Sequence, residues 1–316
     1  MATSPVERAS TAIHSVAGGV VLAMLGAVAF SGKAIIVKLA YRYGVDAITL
    51  IMLRMLFAFP FFLAIGWWTS RRTPTPDDHQ ATSLTRRDML GIFWLGFSGY
   101  YLASFLDFLG LQFITAALER LILYLSPTMV LLLGFVIFRR RIGWHQALGM
   151  AISYCGVLLA FAHELTGAHN KDVVWGTVLV FLSATSYAIY LFYSGELVQR
   201  LGAMRLVGLA TSVASVLCIA QFALLRPMGS VLALAPEVLW LSLLNATLCT
   251  VLPVMLVMVA VERIGSSLAA QAGMIGPMST MLLGGLLLDE PLTAWLLAGT
   301  VLVIAGVFVC SRARLE

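Results

Sequence analysis

LSPTMVLLLG at residues 125–134 and IGPMSTMLLG at residues 275–284 align at an offset of 150. That register sets Pro127 on Pro277 and Gly134 on Gly284, then Gly149 on Gly299 and Gly156–Val157 on Gly306–Val307. An offset of 157 brings Gly19–Val20–Val21–Leu22 onto Gly176–Thr177–Val178–Leu179. Glycine and proline coincidences are harder to obtain by chance than leucine ones, so the chain reads as an internal duplication.

The solvent for that duplication is lipid. Of 316 residues, 60% are hydrophobic and 11% charged, with a mean hydropathy of +0.96; a soluble domain carries about 25% charged residues. Apolar stretches recur to the end of the chain, predicting ten spans: 16–40, 47–68, 89–110, 113–137, 143–162, 174–196, 205–225, 238–260, 264–288 and 291–311. Residues 1–15 are polar and the first apolar run is too long for a signal core, so no cleavable leader is expected. Five spans per half is an odd number, so the halves insert in opposite directions. The expected fold is an all-α integral membrane protein of ten transmembrane helices, two inverted five-helix repeats at 1–162 and 163–316. The Pro-, Thr- and charge-rich stretch 69–88 reads as a mobile cytoplasmic loop.

Arginine and lysine fall unevenly. Arg8, Arg71, Arg72, Arg86, Arg87, Arg139, Arg140, Arg141, Arg200, Arg205, Arg263, Arg312 and Arg314 lie on the amino-terminal side; Arg42, Lys171 and Arg226 lie opposite. By the positive-inside rule both termini are cytoplasmic and the location is the plasma (inner) membrane. The net charge of +5 restates this bias and calls for no nucleic-acid partner.

The helix–proline–helix–acidic-turn pattern of residues 267–307, SLAAQAGMIGPMSTMLLGGLLLDEPLTAWLLAGTVLVIAGV, and its counterpart at 117–138, ALERLILYLSPTMVLLLGFVIF, resemble the EamA family of the drug/metabolite transporter superfamily. The resemblance covers essentially the whole chain. It implies a proton- or gradient-driven carrier or exchanger of small metabolites, often exporting, and not an enzyme. One departure stands out: the position aligned with Glu290 is Arg140, where the family usually has an acidic residue.

The chemistry lies in the first half. Lys33, Arg54, Asp107, Glu119 and Arg120 sit inside apolar runs, whereas the apolar interiors of the second half hold no charge. Each charge at the centre of a span costs about 2.5–3.5 kcal/mol, so the groups must face each other, water or a ligand. Counted at about 1.5 Å per residue, Lys33, Arg54, Glu119 and Arg120 share one level, with Tyr101 and Asn245. Asp107 lies nearer the outer end, within reach of interfacial water. Two readings are open: a polar cavity whose surplus positive charge receives an anionic substrate, or a closed salt-bridge network locking spans together. The candidate substrate-binding residues are Lys33, Arg54, Tyr101, Glu119, Arg120, Tyr187, Tyr190, Asn245 and Gln271, with Glu119 and Asp107 for coupling. Glu119 is expected to pair with Arg54 or Lys33, and Lys33 is the first residue to test for an anion.

Other features read as structure. Gly149/Gly156 and Gly299/Gly306 are spaced for close helix packing. Pro127, Pro253 and Pro277 break mid-span backbone bonds, and two readings are equally open for them, kinks that open cavity space or permit rocking and plain packing. Asp289 and Glu290 look like acidic groups at the start of the tenth span. The four cysteines read as buried small hydrophobes. There is no GxxxxGK[ST], Gly-x-Ser-x-Gly, HExxH or cysteine/histidine metal set, so no cofactor and no metal are expected. The competing classes are a flippase-like lipid carrier and a membrane-embedded enzyme. The partners expected are a small-molecule substrate, the bilayer and, as an option, a second copy in a homodimer.

Overall fold

The computed structural model describes residues 5–71, 84–139, 141–166 and 170–312. The chain runs through α1 (Pro5–Tyr41), α2 (Ala47–Arg71), α3 (Arg86–Gly96), α4 (Ala103–Gly110), α5 (Ala116–Leu123), α6 (Ser126–Phe138) and α7 (Trp144–Glu164). It continues through α8 (Asn170–Leu201), α9 (Ala203–Leu225), α10 (Pro236–Ala246), α11 (Leu252–Ala272), α12 (Gly276–Leu287) and α13 (Ala294–Arg312). No strand occurs among the described residues.

Eight continuous helical stretches there are long and apolar enough to cross a membrane, from Val16–Tyr41 to Pro236–Gly265; Ala294–Cys310 is a shorter apolar helix. The outer surface is greasy. Val136, Leu224, Leu286 and Val301 are among the exposed large side chains, and all seven tryptophans are exposed, as expected of side chains facing lipid and its interfaces. The protein is a multi-pass membrane protein.

Where the predicted spans and the helices differ, backbone chemistry explains the difference. The span expected at 113–137 is split: α5 ends at Leu123 and α6 begins at Ser126, because Pro127 in its first turn cannot supply the hydrogen bond a continuous helix needs. The span expected at 264–288 is interrupted twice. Gly265, with φ 78°, breaks α11, and a 3-10 turn at Gly273–Ile275 precedes Pro277 in α12. These breaks are why this stretch does not form one uninterrupted crossing helix.

π-helical turns at Phe97–Leu102 and Thr247–Val251 join α3 to α4 and α10 to α11. A π turn displaces backbone carbonyls from the helical ladder. Near the first, Ser186 Oγ donates to Ser98 O (2.7 Å) and Ser183 Oγ to Ala103 O (2.6 Å). Near the second, Thr250 Oγ1 donates to Asn245 O (2.8 Å).

Two buried cores lie on either side of the charged residues. One joins α1, α2, α4 and α9 through Ile35, Leu50, Ile51, Leu53, Phe108 and Phe222. The other joins α5, α7, α8, α12 and α13 through Leu118, Leu121, Val180, Met281 and Val303. α7 and α13 approach closely, since a Cβ at Gly149 would lie 2.6 Å from Gly306 O and one at Gly156 2.7 Å from Gly299 O. Of the expected loop 69–88, residues 69–71 are the end of α2 and 86–88 the start of α3; 72–83 lie outside the described residues. Arg140 lies outside them too. Cys218, Cys249 and Cys310 are buried as expected, but Cys155 is exposed on the apolar face of α7.

Candidate functional site

Lys33 is the hub of the charged layer. From the middle of α1, its Nζ approaches Asp107 Oδ2 of α4 at 2.5 Å and Glu119 Oε1 of α5 at 3.0 Å. Glu119 is 0% exposed, Asp107 3% and Lys33 5%. The structure therefore selects Lys33 as the partner of Glu119, and it corrects the position of Asp107. Counting residues to the helix end left Asp107 near interfacial water, but packing of α4 between α1, α2 and α8 seals it.

The two arginines are held differently. Arg54 Nη2 donates to Ser104 Oγ (2.8 Å), and its guanidinium carbon lies 4.7 Å from the Phe108 ring centroid. The guanidinium of Arg120 lies 4.8 Å from the centre of Phe30 and 5.5 Å from that of Tyr124. Aromatic faces stabilise both cations without neutralising them. Each arginine is 5% exposed; among the described residues neither forms an ion pair and the Nε of each lacks a hydrogen-bond partner. Three cations against two carboxylates leave a surplus of one positive charge, carried by guanidinium groups and not by Lys33.

Other expected site residues scatter. Asn245 is fully buried and its side-chain oxygen and nitrogen are both unpartnered; Ser242, one turn earlier on α10, is the same. Gln271 is half-buried, just before the break between α11 and α12. Tyr101 is half-buried and stacks on Phe105, so it packs α4. Tyr187 and Tyr190 are drawn into a separate cluster, where Tyr190 meets Tyr100 hydroxyl to hydroxyl at 3.1 Å and Tyr187 stacks on Tyr190. They share no hydrogen bond or ring contact with the charged five.

Polar contacts lie towards both ends of the molecule. On the side of the α1–α2 turn, Lys38 Nζ pairs with Glu290 Oε1 (3.2 Å), Arg42 donates to Leu288 O (3.0 Å) and Arg226 pairs with Asp46 (3.2 Å). Burial works against the charge on Asp46, yet hydrogen bonds from Thr49 and Arg226 hold its carboxyl below the usual range. At the opposite end Arg200 pairs with Asp88 (2.9 Å) and Arg205 Nε donates to Ser70 Oγ (3.0 Å). A cavity of about 360 Å³ opens beside Lys38, Tyr41, Asp46 and Gln112. Its floor includes Tyr41, whose hydroxyl donates to Phe108 O (2.6 Å), next to Asp107.

The family model described as "EamA-like transporter family" matches residues 17–162 and 174–312. The chain belongs to that family. Among its EamA relatives, the uncharacterized transporter YcbK of Bacillus subtilis is 30% identical over 89% of this chain and 88% of its own. An uncharacterized transporter of Archaeoglobus fulgidus is 24% identical over 72% of this chain and 79% of its own. A solved crystal structure at 15% identity superposes with a TM-score of 0.61 over 95% of this chain and 99% of the other, which speaks to fold alone. The protein is a membrane transporter.

Within this EamA chain, sequence reasoning missed the role of Glu290. It does not serve its own helix. Its Oε1 accepts the backbone N–H of Ala116 (2.9 Å), satisfying the first turn of α5 from across the molecule, while pairing with Lys38. Thr115 caps the same helix and its hydroxyl bonds Glu164. The available signal was Lys38, a second lysine one turn and a residue beyond Lys33 in the first apolar run.

Proposed function

We propose that this EamA protein is a secondary transporter that moves a small organic anion by alternating access between two inverted five-helix repeats, 1–162 and 163–316. The observation that carries the reading is a pair of buried guanidiniums, Arg54 and Arg120, with no carboxylate in ion-pair contact among the described residues, near a lysine that already holds two. Uncompensated charge at this depth is costly, and an anionic ligand removes the cost. The inverted repeat is supported by the paired sequence motifs, by π-helical turns 150 residues apart at Phe97 and Thr247, by helix breaks before Pro127 and Pro277, and by the two segments matched by the family model. Polar contacts towards both ends of the molecule suit an occluded stage of the cycle. Glu119 and Asp107, sharing one ammonium, are the groups placed to exchange a proton and couple transport to a gradient.

Counterflow into proteoliposomes, run against a panel of anionic, neutral and cationic metabolites with imposed pH gradients, tests this. Exchange of at least one anion is expected; exchange confined to cations or neutral solutes would overturn the anion reading.

The orientation proposed, both termini cytoplasmic in the plasma (inner) membrane, has its own check. Single cysteines replacing Asp78 and His169 in a cysteine-free background are expected to label from opposite faces of intact cells. Labelling from one face refutes the topology.

A further inference from the structure

The two helix breaks meet at Arg120. Arg120 precedes the α5–α6 break by one turn, and the hydroxyl of Tyr124, at that break, hydrogen-bonds Gly273 O at the α11–α12 break. Ser31 Oγ of α1 donates to Gly276 O (2.9 Å), tying a third helix to the same crossing. Gly276 is packed hard against the pair: a Cβ there would lie 2.6 Å from Tyr124 Oη and 3.1 Å from Arg120 Nη2. Gly273, one turn away, is the opposite, with nothing within 4 Å of a Cβ built on it. Residues 271–275 are half-buried while Arg120 is 5% exposed. Open space thus reaches the crossing at Gly273, whose carbonyl accepts from the Tyr124 hydroxyl, and the Arg120 guanidinium lies against the same Tyr124 ring.

We infer that Arg120 is the group that receives a carboxylate of the transported solute, with Tyr124 as the latch over it and Gly273 lining the approach. The inference rests on the anion reading above and deepens it. Aromatic rings cover the guanidinium, which leaves its Nε and in-plane N–H edge as the hydrogen-bonding surface, a fork that matches a carboxylate. A carboxylate also matches the charge. With both carboxylates ionised the buried set carries one surplus positive charge, whereas a phosphate group brings about 1.5 to 2 negative ones. Gly276 keeps the fork unobstructed, because any side chain there collides with Tyr124 and Arg120.

The test needs no knowledge of the natural solute. A Gly273→Cys variant, in a background with the four native cysteines replaced, is treated with anionic sulfonatoethyl and cationic trimethylammonioethyl methanethiosulfonates. The ratio of their rates is compared with that for a small free thiol. A preference for the anionic reagent of about tenfold over that reference is expected from a nearby buried cation. Arg120→Met abolishes the preference, and Tyr124→Phe raises both rates. Benzoate at millimolar concentration slows labelling and inorganic phosphate does not. Arg120→Lys keeps the preference but loses the benzoate protection, separating the fork from its charge and covering the case in which Arg120→Met fails to fold. No labelling, a preference that survives Arg120→Met, or protection by phosphate in place of benzoate overturns the assignment. An anion whose counterflow survives Arg120→Met removes this subsite and leaves the transport reading standing. Counterflow of cations alone removes both.

Discussion

Lys33→Met is expected to destabilise the protein by about 3–5 kcal/mol, the usual cost of removing one partner from a buried ion pair. Two carboxylates, Asp107 and Glu119, would be left facing each other with no ammonium within 3.0 Å. The measurement is thermal unfolding of the purified protein in detergent, with membrane yield as a second readout. Adding Asp107→Asn and Glu119→Gln to Lys33→Met is expected to recover most of the loss, because the uncompensated charges then disappear together. A Lys33→Met protein as stable as the wild type would show that the triad does not hold α1, α4 and α5 together. The lysine that the sequence singled out for ligand binding pairs with two carboxylates in the structure, so the ligand contact proposed above is assigned to the arginines.

Glu119→Gln is expected to act on function and not on folding. Glutamine keeps the side-chain volume, and the Lys33–Asp107 contact at 2.5 Å remains. What is lost is the proposed proton carrier, a carboxylate with 0% exposure. Accumulation driven by a pH gradient is expected to fall about ten- to a hundredfold, the scale of losing one hydrogen bond to a charged group. Counterflow, which needs no net proton movement, persists. If membrane yield and counterflow collapse together with accumulation, Glu119 is a structural member of the network and the coupling assignment fails.

The helical spans were legible because lipid imposes a simple rule: about twenty apolar residues per crossing and no unpaired backbone. Pro127 and Pro277 also announced that something happens in mid-span, but not that the helix stops there. A proline inside lipid can kink a helix or end it, and which occurs depends on what satisfies the freed backbone groups. The membership of the charged layer was legible, since Lys33, Arg54, Asp107, Glu119 and Arg120 are conspicuous in an apolar chain. Their pairing was not. It depends on helix rotation: Glu119 and Arg120 are neighbours in sequence, about 100° apart around α5, and only packing decides that one meets Lys33 and the other Phe30 and Tyr124. Depth counting failed for Asp107 because distance along a helix says nothing about what covers its side. The placement of Tyr187 and Tyr190 away from the charged five was equally hidden: a membrane tyrosine needs only one hydrogen-bond partner, which Tyr100 supplies to Tyr190, while Tyr187 stacks on Tyr190.

The glycines of α7 and α13 have a consequence for where such a chain comes from. Gly149 touches Gly306 and Gly156 touches Gly299, and this set of contacts is unchanged when each residue is exchanged for the one 150 positions away. An interface with that property is self-complementary, the signature of a twofold homodimer. If the halves are the inverted repeats proposed above, two copies of a five-helix chain inserted in opposite directions would meet across this seam. On that proposal the five charges of the layer could gather in one half: once the halves were covalently tied, only one had to carry Lys33, Arg54, Asp107, Glu119 and Arg120.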